Sequence, residues 1–213
     1  MEKSPLATYN ALNAYKIIQN LNKRNMAGYY CETKQEALEK ALSLIPPEAI
    51  VSWGGSQSIL EIGLLSALKM RGNPLLDRDS AATPEEREAI QHRALSCDYY
   101  LMSANAVTMD GKLINIDRTG NRLAALIYGP KNVLVIAGMN KVEPDEAAGM
   151  ARARNHAAPI NAIRVQAATP CATTGQCQDC TVEECICSQV LITRMSQTKN
   201  RIKVILAGES LGF

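Results

Sequence analysis

The sequence predicts an α/β fold, a Rossmann-like and largely parallel sheet covered by helices. Three observations lead there. Short β-branched or aromatic runs alternate with stretches of helical periodicity, the pattern of βαβ units. Two of those runs, 133–137 and 201–207, have the length and content of strands buried on both faces. The chain has 213 residues and is 46% apolar, enough for one sizeable core, so one domain over 1–213 is the expectation.

In chain order, 1–27 reads as a leading helix. Leu6, Tyr9, Leu12, Tyr15, Ile17, Ile18 and Leu21 form a stripe over 5–26, with Gly28 as its stop. Residues 28–31 form a short strand. Thr33 and Glu36 make a capping box for a helix that ends at Pro46-Pro47. The strand 49–53 runs into Gly54-Gly55-Ser56 and a helix over 59–70. Leu75-Leu76 is a short strand, followed by the polar Asp77-Arg78-Asp79 loop. A second capping box, Thr83 with Glu86, opens a helix to about Leu95. The strand 98–103 leads to a hairpin insertion, two apolar-alternating runs joined by Asp110-Gly111 as a two-residue turn. Polar residues 117–122 precede the apolar 123–129. The buried strand 133–137 ends in Gly138-Met139-Asn140-Lys141. A helix over 144–157, ending before Pro159, and a Cys-rich segment at 168–190 precede the last strand.

Composition excludes several functions. Lysine and arginine number 23 against 21 acidic residues, and aromatics are 4%, so neither charge nor stacking argues for nucleic acid. No run reaches the roughly 18 apolar residues of a membrane span, and no secretory leader is visible in the first residues. A cytoplasmic protein is expected. Five of the seven cysteines fall within 17 residues, Cys171 to Cys187, a cluster that suits a reduced compartment with a thiolate site.

Four groups of residues carry chemistry. The Gly54-Gly55-Ser56 turn, between strand and helix, has the outline of an anion cradle, although an ordinary tight connection reads the same way. Asn105, Asp117, Gly120, Asn121, Arg122, Asn140 and Lys141 fall near strand ends. There Arg122 offers a planar fork and Asn140 a neutral donor, while an Asp117–Arg122 structural ion pair is the plain alternative. Glu61 and Glu209 are candidate catalytic carboxylates, as base or nucleophile, if partly buried. Cys171, Cys177, Cys180, Cys185 and Cys187 give C-x5-C-x2-C-x4-C-x-C. Four such thiolates can close around zinc or an iron–sulfur cluster, or simply remain reduced in a closed loop. Cys31 and Cys97 read as small core residues, and His92 and His156 as surface, so a histidine-based hydrolase is not expected.

GGSQS followed by EIG, then NAVTMDGKLINIDRTGNR, YGP, GMNK, NHAAPINA, TPCATTGQCQDC, ICSQV and RIKVILAGESLGF together resemble the lactate-utilisation (LUD) domain family, in its cysteine-bearing branch. The resemblance spans about residue 5 to Phe213. It implies a fold similar to the sugar-isomerase, ribose-phosphate isomerase and CoA-transferase group, with a site at the strand ends. It also implies a setting of L-lactate oxidation with iron–sulfur partner subunits. By position Cys171, Cys177, Cys180 and Cys187 match the family's cysteines, and Cys185 is an addition.

The expected function is binding of a small anionic metabolite at a strand-end cleft, in lactate-like organic-acid utilisation, with zinc or an iron–sulfur cluster on the cysteines. A stand-alone isomerase, acyl-CoA transferase or cyclo-ligase working through Glu61 or Glu209 is the alternative, as is a non-catalytic metal-dependent subunit. A homodimer is the expected assembly. All of this depends on the glycine turn, the 117–122 segment and the Asn140 turn meeting on one rim of the sheet.

Overall fold

The computed structural model describes residues 4–213; residues 1–3 of the expected leading segment lie outside them. Six parallel strands form the main sheet: Ala27–Cys31 (β1), Val51–Trp53 (β2), Leu75–Leu76 (β3), Tyr99–Met102 (β4), Asn132–Gly138 (β7) and Ile202–Ala207 (β10). Their order is β1-β10-β7-β4-β2-β3. Helices Pro5–Lys23 (α1), Pro84–Ala94 (α5) and Asn121–Tyr128 (α6) pack on one face, against Val133, Val135, Val204 and Leu206. Helices Lys34–Leu44 (α2), Gln57–Glu61 (α3) and Leu64–Arg71 (α4) pack on the other, against Leu134, Ile136 and Ile205. Alternate side chains of β7 and β10 thus enter different cores, which is why both strands read as nearly continuous apolar runs.

Both capping boxes form. Thr33 Oγ1 accepts from the Glu36 amide at 3.1 Å while the Glu36 carboxylate accepts from Glu32 N–H at 2.7 Å. Thr83 and Glu86 repeat the exchange at α5, at 3.2 Å and, with Ala82 N–H, 2.7 Å.

Several expectations are corrected. Leu6, Tyr9, Leu12 and Tyr15 are 63–68% exposed: at 3.6 residues per turn Tyr9, Leu12 and Tyr15 point away from the face that carries Ala14, Ile17 and Leu21, and Leu6 lies in the first turn. Ile17 and Leu21 of the expected stripe do fill the core, joined by Ala14. Gly28 is not the stop: α1 ends at Arg24 and the chain reverses through Asn25 (φ 58°). Gly28 lies inside β1, where an added Cβ would sit 2.9 Å from Ile18 Cγ1, so glycine lets α1 lie close on the strand. The helix expected over 59–70 is split into α3 and α4 by Gly63 at φ 72°.

The hairpin is not an isolated insertion. Its strands, Ala106–Thr108 (β5) and Leu113–Asp117 (β6), form the centre of a second sheet with Val142–Glu143 (β8) and Gln189–Thr193 (β9), in the order β8-β5-β6-β9. Thr108 N–H donates to Lys112 O at 3.0 Å, which leaves three residues in the turn rather than two. Only Gly111 is left-handed (φ 84°). β9, a β-branched-rich run not expected as a strand, pairs antiparallel with β6.

The helix expected to end before Pro159 continues through it. Glu146–Arg152 (α7) passes into a π-turn at Ala153–Ala157 and then Ala158–Arg164 (α8), with Pro159 in the first turn of α8. A widened turn suits a residue with no N–H to give and a ring that would strike the carbonyl four residues back. The continuation carries Asn161 and Arg164 toward the strand ends. A short helix, Pro170–Thr174 (α9), begins the cysteine-rich segment. Among the described residues no helix is long and apolar enough to cross a membrane.

Candidate functional site

Parallel strands deliver their following loops to a common edge, and three adjacent strands, β2, β4 and β7, do so here. A cleft of about 260 Å³ lies at that edge. Its lining joins Gly55 and Ser56 after β2, Ser103 to Asn105 after β4, Asp117, Arg118, Asn121 and Arg122 around the start of α6, and Lys141 after β7. From outside the expected set come Arg78, Asn161, Arg164, Ile186 and Phe213. Five basic side chains thus line it, Arg78, Arg118, Arg122, Lys141 and Arg164, against one carboxylate, Asp117.

That carboxylate is already engaged. Asp117 Oδ2 accepts from the amides of Arg122 at 3.1 Å and Leu123 at 3.4 Å, and Oδ1 from Arg118 N–H at 3.1 Å. It caps α6 and neutralises the helix end. Its ion pair with Arg122 Nε, at 4.0 Å, ties β6 to α6. Arg122 also donates through Nη2 to Ile116 O. Its aliphatic stem crosses directly over Gly54, where an added Cβ would lie 2.8 Å from Arg122 Cδ. Gly54 therefore contributes by letting Arg122 through, and it does not itself line the cleft. Gly55 has the same relation to Arg78, whose Nη2 would be 3.1 Å from an added Cβ.

Arg78 and Arg164 line the same part of the cleft. Burial first, then Arg78, pulls the Arg164 guanidinium below its ordinary value. Arg164 bonds Asn161 Oδ1 at 2.7 and 3.0 Å and lies 6.0 Å from the Phe213 ring centre. Arg78 Nε is buried with no hydrogen-bond partner among the described residues. Crowded, partly unpaired guanidiniums are the setting in which a bound anion is most favourable.

Lys141 is 4% exposed. Its Nζ donates to Ser58 Oγ at 2.9 Å and Ser103 Oγ at 3.1 Å. Burial, with Arg152 and Arg122 adding to it and Glu61 opposing, pulls its pKa down to about 7.

The other expected residues are engaged in the fold, some of them outside the cleft. Asn140 holds the 209–213 segment, donating to Gly212 O at 3.2 Å and accepting from Leu211 N–H at 3.0 Å. Gly120 is the left-handed N-cap of α6 (φ 90°). The expected partial burial of Glu61 and Glu209 is not found: both are exposed, and neither lines the cleft. Glu61 accepts from Gly212 N–H at 2.9 Å, and Glu209 from Lys34 N–H at the start of α2. Ser56 lines the cleft, but its hydroxyl accepts from Ile59 N–H and caps α3. Asn105 Oδ1 accepts from Ile116 N–H at 2.9 Å and extends the hairpin ladder to the cleft.

The five clustered cysteines line a second cavity, of about 390 Å³, with Ile116, Met150, Arg154 and Val190. Burial and then the neighbouring thiols push Cys187 up to about 12, and burial with Cys185 raises Cys180. Arg154 Nη2 lies 3.8 Å from Cys177 Sγ. The donor chemistry suits a soft metal. The spacing as folded does not: among the described residues no three His, Cys, Asp or Glu side chains converge on a point that could hold an ion. Closing such a site requires the irregular 175–188 stretch to draw its sulfurs together.

Arg78 and Arg164 escape sequence reading because neither sits in a motif. Arg78 is flanked by two aspartates, as a solvated residue would be, and Arg164 reaches the cleft only because the helix continues past Pro159. The depressed Lys141 pKa has a measurable consequence. An unfolded lysine keeps its proton to about 10.5, the folded one only to about 7, so between those values the unfolded state binds more protons and rising pH favours the fold. Wild-type stability should therefore climb relative to Lys141→Met across that window. A pH series of urea melts of both proteins reads it, and a pH-independent difference is the contrary result.

Comparison with known proteins agrees with this architecture. A family model described as the LUD domain matches residues 14–207. No curated protein matches the chain. Among solved structures, a DUF162 family protein from Deinococcus radiodurans is similar in fold, with a TM-score of 0.53 and 11% identity over 93% of this chain and 98% of that one. A weaker likeness, TM-score 0.33 and 14% identity, is to eIF2B delta from Chaetomium thermophilum, over 68% of this chain and 59% of that one. With its Rossmann-like sheet and a family match running through both sheets and the cysteine segment, the chain belongs to the LUD domain family.

Proposed function

We propose that the protein binds a small anionic metabolite, a carboxylate or phosphate ester, in the strand-end cleft, in the service of lactate-type organic-acid oxidation. The observation that carries the reading is the charge of the lining, four guanidiniums and a buried lysine against one carboxylate that is spent on capping a helix. Guanidinium forks match carboxylate and phosphate oxygens two at a time, and in a partly dehydrated cleft such bonds outweigh their aqueous value. A volume of about 260 Å³ suits a ligand of a few carbons. Family membership supports the coarse role, and with it we propose iron–sulfur subunits as electron-accepting partners.

We also propose that the cysteine cavity takes a sulfur-ligated metal, zinc or an iron–sulfur cluster, held by Cys171, Cys177, Cys180 and Cys187. What supports it is the gathering of five thiols around one cavity, where a cation would relieve the mutual repulsion of their thiolates. When bound, the metal would supply either a rigid crosslink or a one-electron centre. Arg154, ion-paired with Asp179, lies beside Cys177 Sγ at 3.8 Å.

Two measurements follow. In thermal melts, small carboxylates or phosphate esters should raise the midpoint of the wild type by mass action, and Arg122→Ala should lose most of that shift at the same concentration. An unchanged shift in the variant, or none with any anion, contradicts the binding role. Anaerobic purification with metal and sulfide analysis should find metal stoichiometric with protein and lost in Cys177→Ser/Cys180→Ser. Metal-free protein with five titratable clustered thiols contradicts the metal.

A further inference from the structure

Lys141 is the part of the cleft that anion binding leaves unexplained. Four guanidiniums already supply positive charge, and a lysine serving only as a further cation would stay hydrated or meet a carboxylate. Lys141 does neither. It is buried, and its hydrogen-bond partners among the described residues are two hydroxyls, Ser58 Oγ and Ser103 Oγ. An ammonium there has three N–H donors for two acceptors. A neutral amine gives both its hydrogens to the hydroxyls and keeps its lone pair for the remaining tetrahedral direction. Lys141 and Ser103 both line the cleft. Around the amine, Arg152 and Arg122 disfavour the charged form while Glu61 favours it, and burial decides the balance toward neutrality near pH 7.

We propose that Lys141 is a nucleophilic amine that forms an imine with its ligand. The ligand class then narrows to small oxo-compounds bearing a carboxylate or phosphate. The inference rests on the anion reading for how that ligand is held. The Nζ lone pair attacks the carbonyl carbon, the C=O pair moves to oxygen, and that oxygen takes up the proton that nitrogen gives away. Ser103, hydrogen-bonded to Nζ and lining the cleft, is placed to carry the proton across. The carbinolamine then loses its hydroxyl with a further nitrogen proton as water, leaving C=N. Amine plus carbonyl gives imine plus water, with no change of oxidation state. Ser58 completes the setting: its Oγ is 3.3 Å from both Ser103 Oγ and Leu211 O, and Gly212 packs so close that an added Cβ would lie 3.3 Å from Lys141 Nζ.

Borohydride trapping on the full chain tests this. Wild-type protein is incubated with pyruvate or with dihydroxyacetone phosphate, reduced with sodium borohydride, and read by intact mass and peptide mapping. The expected result is one reduced adduct per chain, located at Lys141 and absent from Lys141→Arg. Arg122→Ala should lower the labelling about tenfold or more at the same probe concentration, the loss expected for a charge-assisted contact. Label spread over surface lysines, or none at Lys141, overturns the proposal, and because the mapping is done on wild-type protein it does not depend on a variant folding. If the same probes still raise the melting midpoint, only the imine falls. If they neither label nor shift, the anion reading falls with it.

Discussion

Parallel pairing of β2, β4 and β7 constrains everything at the candidate site. Once those strands run the same way side by side, the loops after Trp53, Met102 and Gly138 must leave at one edge, although more than eighty residues separate the first from the last. Gly54 and Gly55 then matter for what passes over them. A methyl at either position would meet the side chain of Arg122 or Arg78. The same edge sets the orientation of the turn after β7, where consecutive residues divide the work. Asn140 turns out to clasp Leu211 and Gly212, and Lys141 turns in beneath the cleft.

The second sheet is the other half of the arrangement. β6 ends in Asp117, whose carboxylate starts α6 and so fixes Arg122, while Asn105 joins the loop after β4 to β6 through Ile116. Ile116 has a further role as a wall, since it lines both the cleft and the cysteine cavity. The cysteine segment approaches the same wall from the far side: Ile186 lines the cleft, and Cys185 and Cys187 on either side of it line the other cavity. One short irregular stretch thus contributes side chains to two different cavities. The cleft and the thiols are therefore neighbours in space, separated by two isoleucines.

Much of this was legible in the sequence because local chemistry wrote it. The capping boxes at Thr33 and Thr83, the runs of β7 and β10, and the glycine turn each carry their cause within a few residues. Strand-end placement then brought Gly55, Ser56, Asn105, Asp117, Asn121, Arg122 and Lys141 together. What was not legible depends on distant partners. The place of β9 at the edge of β6 is one example. Tyr9, Leu12 and Tyr15 looked buried as part of a stripe, yet helix geometry carries them off the core face. Glu61 and Glu209 looked like bases, yet each holds a backbone amide at the surface. Arg164 arrives only through the π-turn that lets a helix pass Pro159. The burial of Lys141, between serines more than forty residues apart in the chain, has no sequence pattern at all.

The central claim is that this edge of the sheet is a site for anions, shaped by guanidiniums that crowd one another until an anion joins them. A crystal soaked in selenate, a tetrahedral dianion with its own anomalous signal, tests that most directly. The account predicts an anomalous peak within the cleft, among the guanidiniums of Arg78, Arg122 and Arg164. Selenate found only on surface lysines, with the cleft holding none, would contradict it.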